Sequence, residues 1–463
     1  MDHPDKYPHR VRPCRLILSV QYHYDHLWWK NGHRGGLSLL ILLGSLSIFL
    51  LLGVPIAYSL GLSSFAYFAV VHPDLLPILP PRLFAGMNSY PMIAMPLFIF
   101  MGLLMNSGGI TTRLINFSLL FVGRFRGGLG LVNVVASMIF GGISGSSVSD
   151  TASIGAVLIP QMHKKGYTLQ FSSGITVASS TMGMIIPPSV PMVIYAYVSE
   201  ESVGRLFLGG LIPGVMIGLF MLAITIIVSY YKKYPKEETK YSGKEMVSLT
   251  AKAFPALIMP VFVVGAVVFG LATATESAGL GVLYSFIIGL IIIKELHLKV
   301  IPSLLRDAIQ TSATVMIIIA LSQLYVWILA LERIPQTLSM FVTGLNLPVF
   351  VLLFIVLLII LAVGTFVDVS PAILLLTPVF LPAMKAIGID SVQFGVILIS
   401  GLAMGLVTPP VGMCLNVCSA ISKLQIGTIF KAASPFLLAN LMTLILVTYI
   451  PGLSLWLPSL LMD

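Results

Sequence analysis

Charge is scarce in this chain. Only 9% of its 463 residues are charged, against 57% hydrophobic, whereas a soluble domain carries roughly a quarter charged residues. Cysteine is nearly absent. There are three in all, Cys14 near the start and Cys414 and Cys418 at helical spacing in an apolar segment, which excludes a disulfide framework or a zinc-ligand pattern. The two-residue alternation of a membrane β-barrel is missing as well. Acidic residues are outnumbered, 17 against 26 basic. The basic residues sit in short loops between apolar runs, where they orient a membrane chain rather than grip nucleic acid. What is abundant is continuous apolar sequence. Runs such as Leu37–Val54, Leu206–Val228 and Ile317–Leu331 approach or exceed the ~20 residues that cross hydrocarbon. The fold class is an all-α polytopic membrane protein.

Residues 1–36 hold six Lys/Arg and five of the eight histidines and read as a basic arm with Trp28 and Trp29 at headgroup level. The spacing of His3, His9, His23, His26 and His33 is too irregular for a metal site. Spans are predicted over 37–71 (one kinked or two short), 83–106, 168–198, 204–230, 253–271, 276–293, 307–331, 391–421 and 433–459. Segments 128–163 and 349–385 are too short and too broken for two full spans each, and are predicted as re-entrant helical hairpins. The loop 231–252, with six lysines, is expected in the cytoplasm. Counting outward from it, the N-terminus is cytoplasmic and the C-terminus periplasmic. The first hairpin, flanked by Arg124, Arg126, Lys164 and Lys165, opens inward and the second outward. An odd number of spans between them makes the two copies inverted. Six divisions follow: a basic arm 1–36, scaffold helices 37–123, a first transport repeat 124–203, scaffold 204–345, a second transport repeat 346–421 and a C-terminal helix 422–463.

The two broken segments share a cassette, "GSSVSDTASIGAVLIP…KKGY…GMIIPPSVP" and "GTFVDVSPAILLLTP…KAIGID…GLVTPP". Asp150 and Asp368 each precede a proline, Pro160 and Pro378, by ten positions. Gly166 and Gly388 each lie 21 before a proline pair, and Gly183 and Gly405 lie four before it. Between the single proline and the following glycine the second copy is four residues longer, which predicts one extra turn in the second hairpin. Paired helix-breaking segments in corresponding halves point to a secondary transporter's binding site.

Gly183, Pro187, Pro188 and Pro191 cannot sustain a regular helix, so segment 168–198 should break and free carbonyls around 183–188. Those oxygens, with the hydroxyls of Ser144, Ser146, Ser147, Ser149 and Thr151, suit a small alkali cation, and converging helix N-termini suit a carboxylate. Gly364, Thr365, Asp368 and Ser370 face Gly405, Thr408, Pro409 and Pro410 by the same logic. The plainer alternative is that small residues let helices pack closely. Asp150, Asp368 and Glu276 are ionisable groups in apolar chain and hence site candidates. Capping a helix N-terminus is the competing role for Asp150 and Asp368, and scaffold hydrogen bonding is the favoured structural role for Glu276.

The strings "GGISGSSVSDTASIGAVLIPQMHKKGY", "IIPPSVPMVIY", "LFLGGLIPG", "ATATESAG", "DVSPAILLLTPVFLPAMKAIGID" and "GLVTPPVGMCL" together resemble the large membrane subunit of a tripartite ATP-independent periplasmic (TRAP) transporter. That family is typified by C4-dicarboxylate and sialic acid uptake systems. The resemblance covers roughly residues 37–460. It implies an inverted-repeat elevator transporter with two re-entrant hairpins and two unwound transmembrane helices, in the bacterial inner membrane. It implies sodium as coupling ion and no cofactor. A small four-helix membrane subunit and a soluble periplasmic substrate-binding protein are the implied partners, beside the lipid bilayer and an organic anion.

Carried over by resemblance, one sodium site uses Ser144 and Ser146 with backbone oxygens near Gly183, Ile186 and Pro188. The other uses Gly364, Gly405, Thr408 and Val411. Substrate is expected between the hairpin tips, near Asp368, Ser189 and Thr408. Residues 1–36 have no counterpart in the family pattern, either as a genuine extension or through a misplaced start, and Ala274 and Pro371 depart from it without touching a sodium ligand. Two rivals remain. A stand-alone sodium-coupled carboxylate carrier needs no binding protein. An intramembrane serine protease fits "GISG" at 142–145 but needs an activating histidine at membrane depth, and the only histidines after Ser144, His163 and His297, sit beside lysines.

Overall fold

The computed structural model describes residues 35–236, 241–345 and 347–462. The basic arm, with its histidines, Trp28, Trp29 and Cys14, lies outside them.

Among the described residues twenty α-helices follow one another: α1 Gly35–Leu51, α2 Ile56–Val71, α3 Leu79–Met87, α4 Tyr90–Ser107, α5 Ile110–Val122, α6 Gly128–Ser144, α7 Ser147–Lys164, α8 Leu169–Ser180, α9 Val190–Ser199 and α10 Val203–Tyr231; then α11 Gly243–Val268, α12 Ala274–Ile287, α13 Ile301–Leu331, α14 Ile334–Gly344, α15 Val349–Phe366, α16 Val369–Ala386, α17 Ser391–Gly405, α18 Met413–Ser422, α19 Ile426–Tyr449 and α20 Gly452–Leu461. Their ends are written locally. Thr168, Ser202, Thr273, Asp368 and Asp390 accept the first free N–H groups of their helices, which otherwise go unpaired in a medium without water. Pro91, Pro191, Pro302 and Pro335 sit in first turns, where a missing N–H costs nothing.

Among the described residues eight helical stretches are long and apolar enough to cross a membrane. The segment 37–71 is two helices, α1 and α2. Two helices are absent from the predicted spans, α5 and α14. The hairpin segments also need correction. Both are helix–turn–helix units, α6–α7 and α15–α16, but the arms of the second are each 18 residues and long and apolar enough to cross. Length alone therefore does not exclude a full span there.

The repeat is closer than the cassette suggests. α6 and α15 end 222 positions apart, and α7 and α16 both begin and end at that offset. So do the starts of α8 and α17, and the proline pairs, each with a cis bond at Pro187-Pro188 and Pro409-Pro410. α7 and α16 are both 18 residues long, so the expected extra turn in the second hairpin does not exist. The register of the cassette has to move by one turn. Asp368 corresponds to Ser146, not Asp150, and Pro382 corresponds to Pro160. Each helix ends with the same glycine turn, Gly166 at φ 88 and Gly388 at φ 86, and the following N–H closes onto Met162 or Met384 at 3.0 Å in both.

The halves interlock reciprocally. α7 packs on α18 and α16 on α9; α8 packs on α19 and α17 on α10. The buried core runs through all of these helices. A second apolar cluster, with Leu60, Tyr67, Phe68, Leu324 and Ile328, joins α2 to α13, and Leu375 and Val379 of α16 pack against it.

Candidate functional site: two hairpin turns on two helix breaks

The first turn is built by three residues. α6 ends at Ser144, Gly145 turns the chain at φ 61, and Ser146 caps α7. Ser144 Oγ receives the Ser146 N–H at 3.4 Å, and Ser146 Oγ receives the Ser149 N–H at 3.4 Å. This turn lies on the gap between α8 and α9. The Val190 N–H donates to the Gly145 carbonyl at 3.4 Å. A β-carbon on Gly141 would meet Gly183 Cα at 2.9 Å, one on Gly142 would meet the Pro187 carbonyl at 3.1 Å, and one on Gly145 would meet the Pro188 carbonyl at 2.9 Å. Glycine is thus what lets two backbones touch here. Ser144, Ser146, Gly183, Ile186 and Pro188 come together in one place.

The second turn repeats the arrangement. A β-carbon on Gly405 would sit 2.0 Å from the Gly364 carbonyl oxygen. The Val411 N–H donates to the Thr365 carbonyl at 3.4 Å, and Thr408 Oγ donates to the Met404 carbonyl at 2.7 Å. Gly364, Gly405, Thr408 and Val411 are therefore also gathered on one break.

Both places gather oxygen, although at the second the Asn416 amide already donates to the Val411 carbonyl at 2.8 Å. The Ser146 N–H that would close the last turn of α6 onto Gly142 goes to Ser144 Oγ instead, and among the described residues no N–H beyond α15 closes onto Gly364. Among the described residues no donor reaches the carbonyls of Ile186, Pro187, Pro188, Thr408 or Pro409. Ile186, Pro187 and Pro188 are buried and Thr408 and Pro409 half-buried; buried carbonyls without partners are costly, and a hard cation satisfies them without a proton. The donor set thus fits an alkali ion. Among the described residues no cluster of three His, Cys, Asp or Glu side chains is present.

The three expected substrate residues stand differently. Asp368 caps α16, its Oδ1 accepting the Val369 N–H at 2.8 Å. Ser189 is fully buried, and its hydroxyl donates to the Met184 carbonyl. Among the described residues no hydrogen bond links Asp368, Ser189 and Thr408 to one another. Capping thus describes Asp368 but not Asp150, which lies inside the first turn of α7 behind the Ser146 cap.

Asp150 has no exposure. Its Oδ1 accepts from Ser137 Oγ at 3.4 Å, and its Oδ2 has no partner among the described residues. Ser137 and Ser179 share a hydrogen bond at 3.0 Å, Ser179 donates to Asn133 Oδ1 at 3.2 Å, and Asn133 donates to Thr176 Oγ at 2.6 Å. This buried polar row joining α6, α7 and α8 was missed by sequence reasoning, as were Gly141 and Gly142. A search for pairs at the 222 offset would have found Gly142 opposite Gly364. Glu276 is exposed and structural: its carboxylate takes the Thr273 N–H and hydroxyl, both at 2.8 Å, in a capping box.

Residues 43–453 match the family described as tripartite ATP-independent periplasmic transporter, DctM component. The C4-dicarboxylate TRAP transporter large permease protein DctM of Pseudomonas aeruginosa is 37% identical over 401 residues, covering 87% of this chain and 94% of its own. The sialic acid TRAP transporter large permease protein SiaM of Vibrio cholerae is 34% identical, covering 88% and 95%. The isethionate TRAP transporter permease protein DctMQ of Oleidesulfovibrio alaskensis is 34% identical, covering 90% of this chain and 66% of its own length. Among solved structures, the YdaH transporter of Alcanivorax borkumensis, with its unusual topology, superposes with a TM-score of 0.63 at 12% identity, over 83% of this chain and 90% of that one.

Proposed function

The chain belongs to the DctM-component family of tripartite ATP-independent periplasmic transporters, and on that premise we propose that it carries an organic anion inward, coupled to sodium. It is a transporter's large permease rather than an enzyme, so the serine protease reading falls away. The carrying observation is the pair of hairpin turns seated on the two helix breaks, each presenting partnerless carbonyls beside a hydroxyl. Sodium is a co-substrate in this reading. Ser144 and Ser146 with the oxygens of Gly183, Ile186 and Pro188 take one ion, and Gly364, Gly405, Thr408 and Val411 take the other. Holding a cation at each break fixes the hairpin turns against the helices and so shapes the space between them.

The anion sits in that space, near Asp368, Ser189 and Thr408, facing the N-terminal ends of α7 and α16. Its class is a carboxylate of the kind named for the relatives, a C4-dicarboxylate or a sialic acid. The reciprocal packing supports two inverted halves, with re-entrant hairpins moving as an elevator against the α2–α13 side. The chain lies in the bacterial inner membrane with its lysine-rich loop 231–252 in the cytoplasm, N-terminus cytoplasmic and C-terminus periplasmic. A small four-helix membrane subunit and a periplasmic binding protein complete the system; the relative DctMQ is a longer permease chain.

Proteoliposomes carrying the chain with its small subunit test this. Uptake of labelled succinate or N-acetylneuraminate should require an inward sodium gradient and the binding protein. Uptake without any binding protein would establish the stand-alone carrier instead, and uptake indifferent to sodium would remove the two ion sites.

A further inference from the structure

The loop joining α5 to α6 folds back onto the end of α10. Gly127, at φ 77, donates its N–H to the Pro235 carbonyl at 3.1 Å, and Arg126 and Lys236 form an antiparallel bridge. A β-carbon on Gly127 would lie 2.0 Å from Ser229 Oγ, so a glycine is what allows this approach. Beside the fold-back lies an open cavity of about 400 Å³ lined by Arg124, Arg126 and Lys236 together with Phe125, Ile226 and Tyr230.

Arg126 and Lys236 are thus held together by backbone pairing that does not depend on their charge, with Arg124 beside them in the same lining. Among the described residues the ion pairs formed are Arg113 with Glu295 and Arg205 with Glu201, and none involves these three. The Arg126 guanidinium lies over the Tyr230 ring at 5.7 Å. Like charges that no carboxylate pairs among the described residues repel, and an anion entering the cavity relieves that repulsion. The apolar lining identifies the anion further. Phe125, in the loop, and Ile226 are each 50% exposed and Tyr230 69%, the last two in the final turns of a helix long and apolar enough to span. A free phosphate would use the cations and leave that lining idle. A molecule with an anionic head and an apolar stem uses both.

We infer that this cavity binds the headgroup of an anionic phospholipid, its phosphate among Arg124, Arg126 and Lys236 and its acyl stem along Phe125, Ile226 and Tyr230. Basic pockets between membrane helices on the cytoplasmic side recognise such heads, and the neighbouring Lys232 and Lys233 add to the local field. Bound lipid clasps the segment leading into the first hairpin to the end of α10, an effect separate from transport chemistry.

The test uses the purified full chain in neutral detergent, titrated with phosphatidylglycerol, phosphatidylcholine or inorganic phosphate and read by native mass spectrometry and thermal unfolding. Phosphatidylglycerol should bind and raise the unfolding midpoint, while the other two leave it unmoved. Each neutralised basic side chain should weaken phosphatidylglycerol about fivefold, so that the triple variant R124Q/R126Q/K236Q loses roughly 100-fold. Equal affinity in the triple variant overturns the proposal. Equal binding of phosphatidylcholine overturns it as well, and inorganic phosphate that displaces the lipid at matching concentration identifies a free-anion site in its place. If the triple variant does not fold, R124Q and K236Q decide singly, and unchanged affinity in both overturns the inference.

Discussion

Gly405 lies against Gly364 so closely that a single β-carbon on Gly405 would fall 2.0 Å from the Gly364 carbonyl oxygen. The opposing atom is backbone, so no side chain can swing aside. Gly405→Ala should therefore destabilise the protein by about 1–3 kcal/mol, the range of an overpacked core, and reduce sodium-dependent uptake with it. Gly427→Ala is the control, since nothing lies within 4 Å of its β-carbon. Chemical unfolding in detergent checks both. Equal midpoints for the two variants would show that the second turn is not seated on the break as described.

Ser144→Ala and Thr408→Ala should fold normally and need more sodium for half-maximal uptake. The folding cost is small because the Ser144 hydroxyl makes only 3.4 Å contacts and Thr408 bonds locally, to the Met404 carbonyl at the end of α17. Sodium titration of transport in proteoliposomes reads the effect. Wild-type sodium dependence in both variants would leave the hydroxyls without a role at the ion sites.

Asp150 and Ser137 should be energetically coupled. Ser137→Ala removes the Asp150 carboxylate's hydrogen bond in the described structure, and leaving a buried acceptor unpaired costs about 1–3 kcal/mol. In the Asp150→Asn background the same change should cost less. A double-mutant cycle on unfolding free energies measures the difference, and strict additivity would mean that the 3.4 Å contact carries no energy.

Thr273→Val should loosen the start of α12. It removes the hydroxyl that accepts the Glu276 N–H at 3.2 Å and one of the donors to the Glu276 carboxylate, and loss of a cap costs about 1 kcal/mol. Transport at saturating substrate should stay near wild type. Faster amide hydrogen exchange confined to the first turn of α12 would be the signature; unaltered exchange would contradict the capping role.

The parts of the fold legible in sequence were those where backbone chemistry forbids alternatives. Gly183 with Pro187 and Pro188, and Gly405 with Pro409 and Pro410, can only interrupt a helix, and both interruptions are present. The register between the copies was misjudged because like residues were matched, Asp150 with Asp368 and Pro160 with Pro378. The role at the start of α7 and α16 is capping, which Ser146 and Asp368 perform equally well, so function and residue type part company there. α5 was overlooked because Arg113 and Asn116 interrupt a short apolar run, and α14 because Pro335 reads as a breaker although it sits in a first turn. Asn133, Ser137 and Ser179 lie in two apolar helices, where single polar residues resemble packing positions. Only tertiary contact makes them one row.

The reciprocal seating of α7 on α18 and α9 on α16 also sets a timetable for biogenesis. Roughly 250 residues separate the end of α7 from α18, which at ribosomal speeds of 5–20 residues per second is a delay of about 12–50 s. During that interval the nascent first half holds the packing faces of α7 and α9 without their mates. The unfinished polypeptide therefore depends on the insertion machinery or on lipid to shield those faces, and a ribosome stalled before residue 413 leaves a half that no refolding can complete.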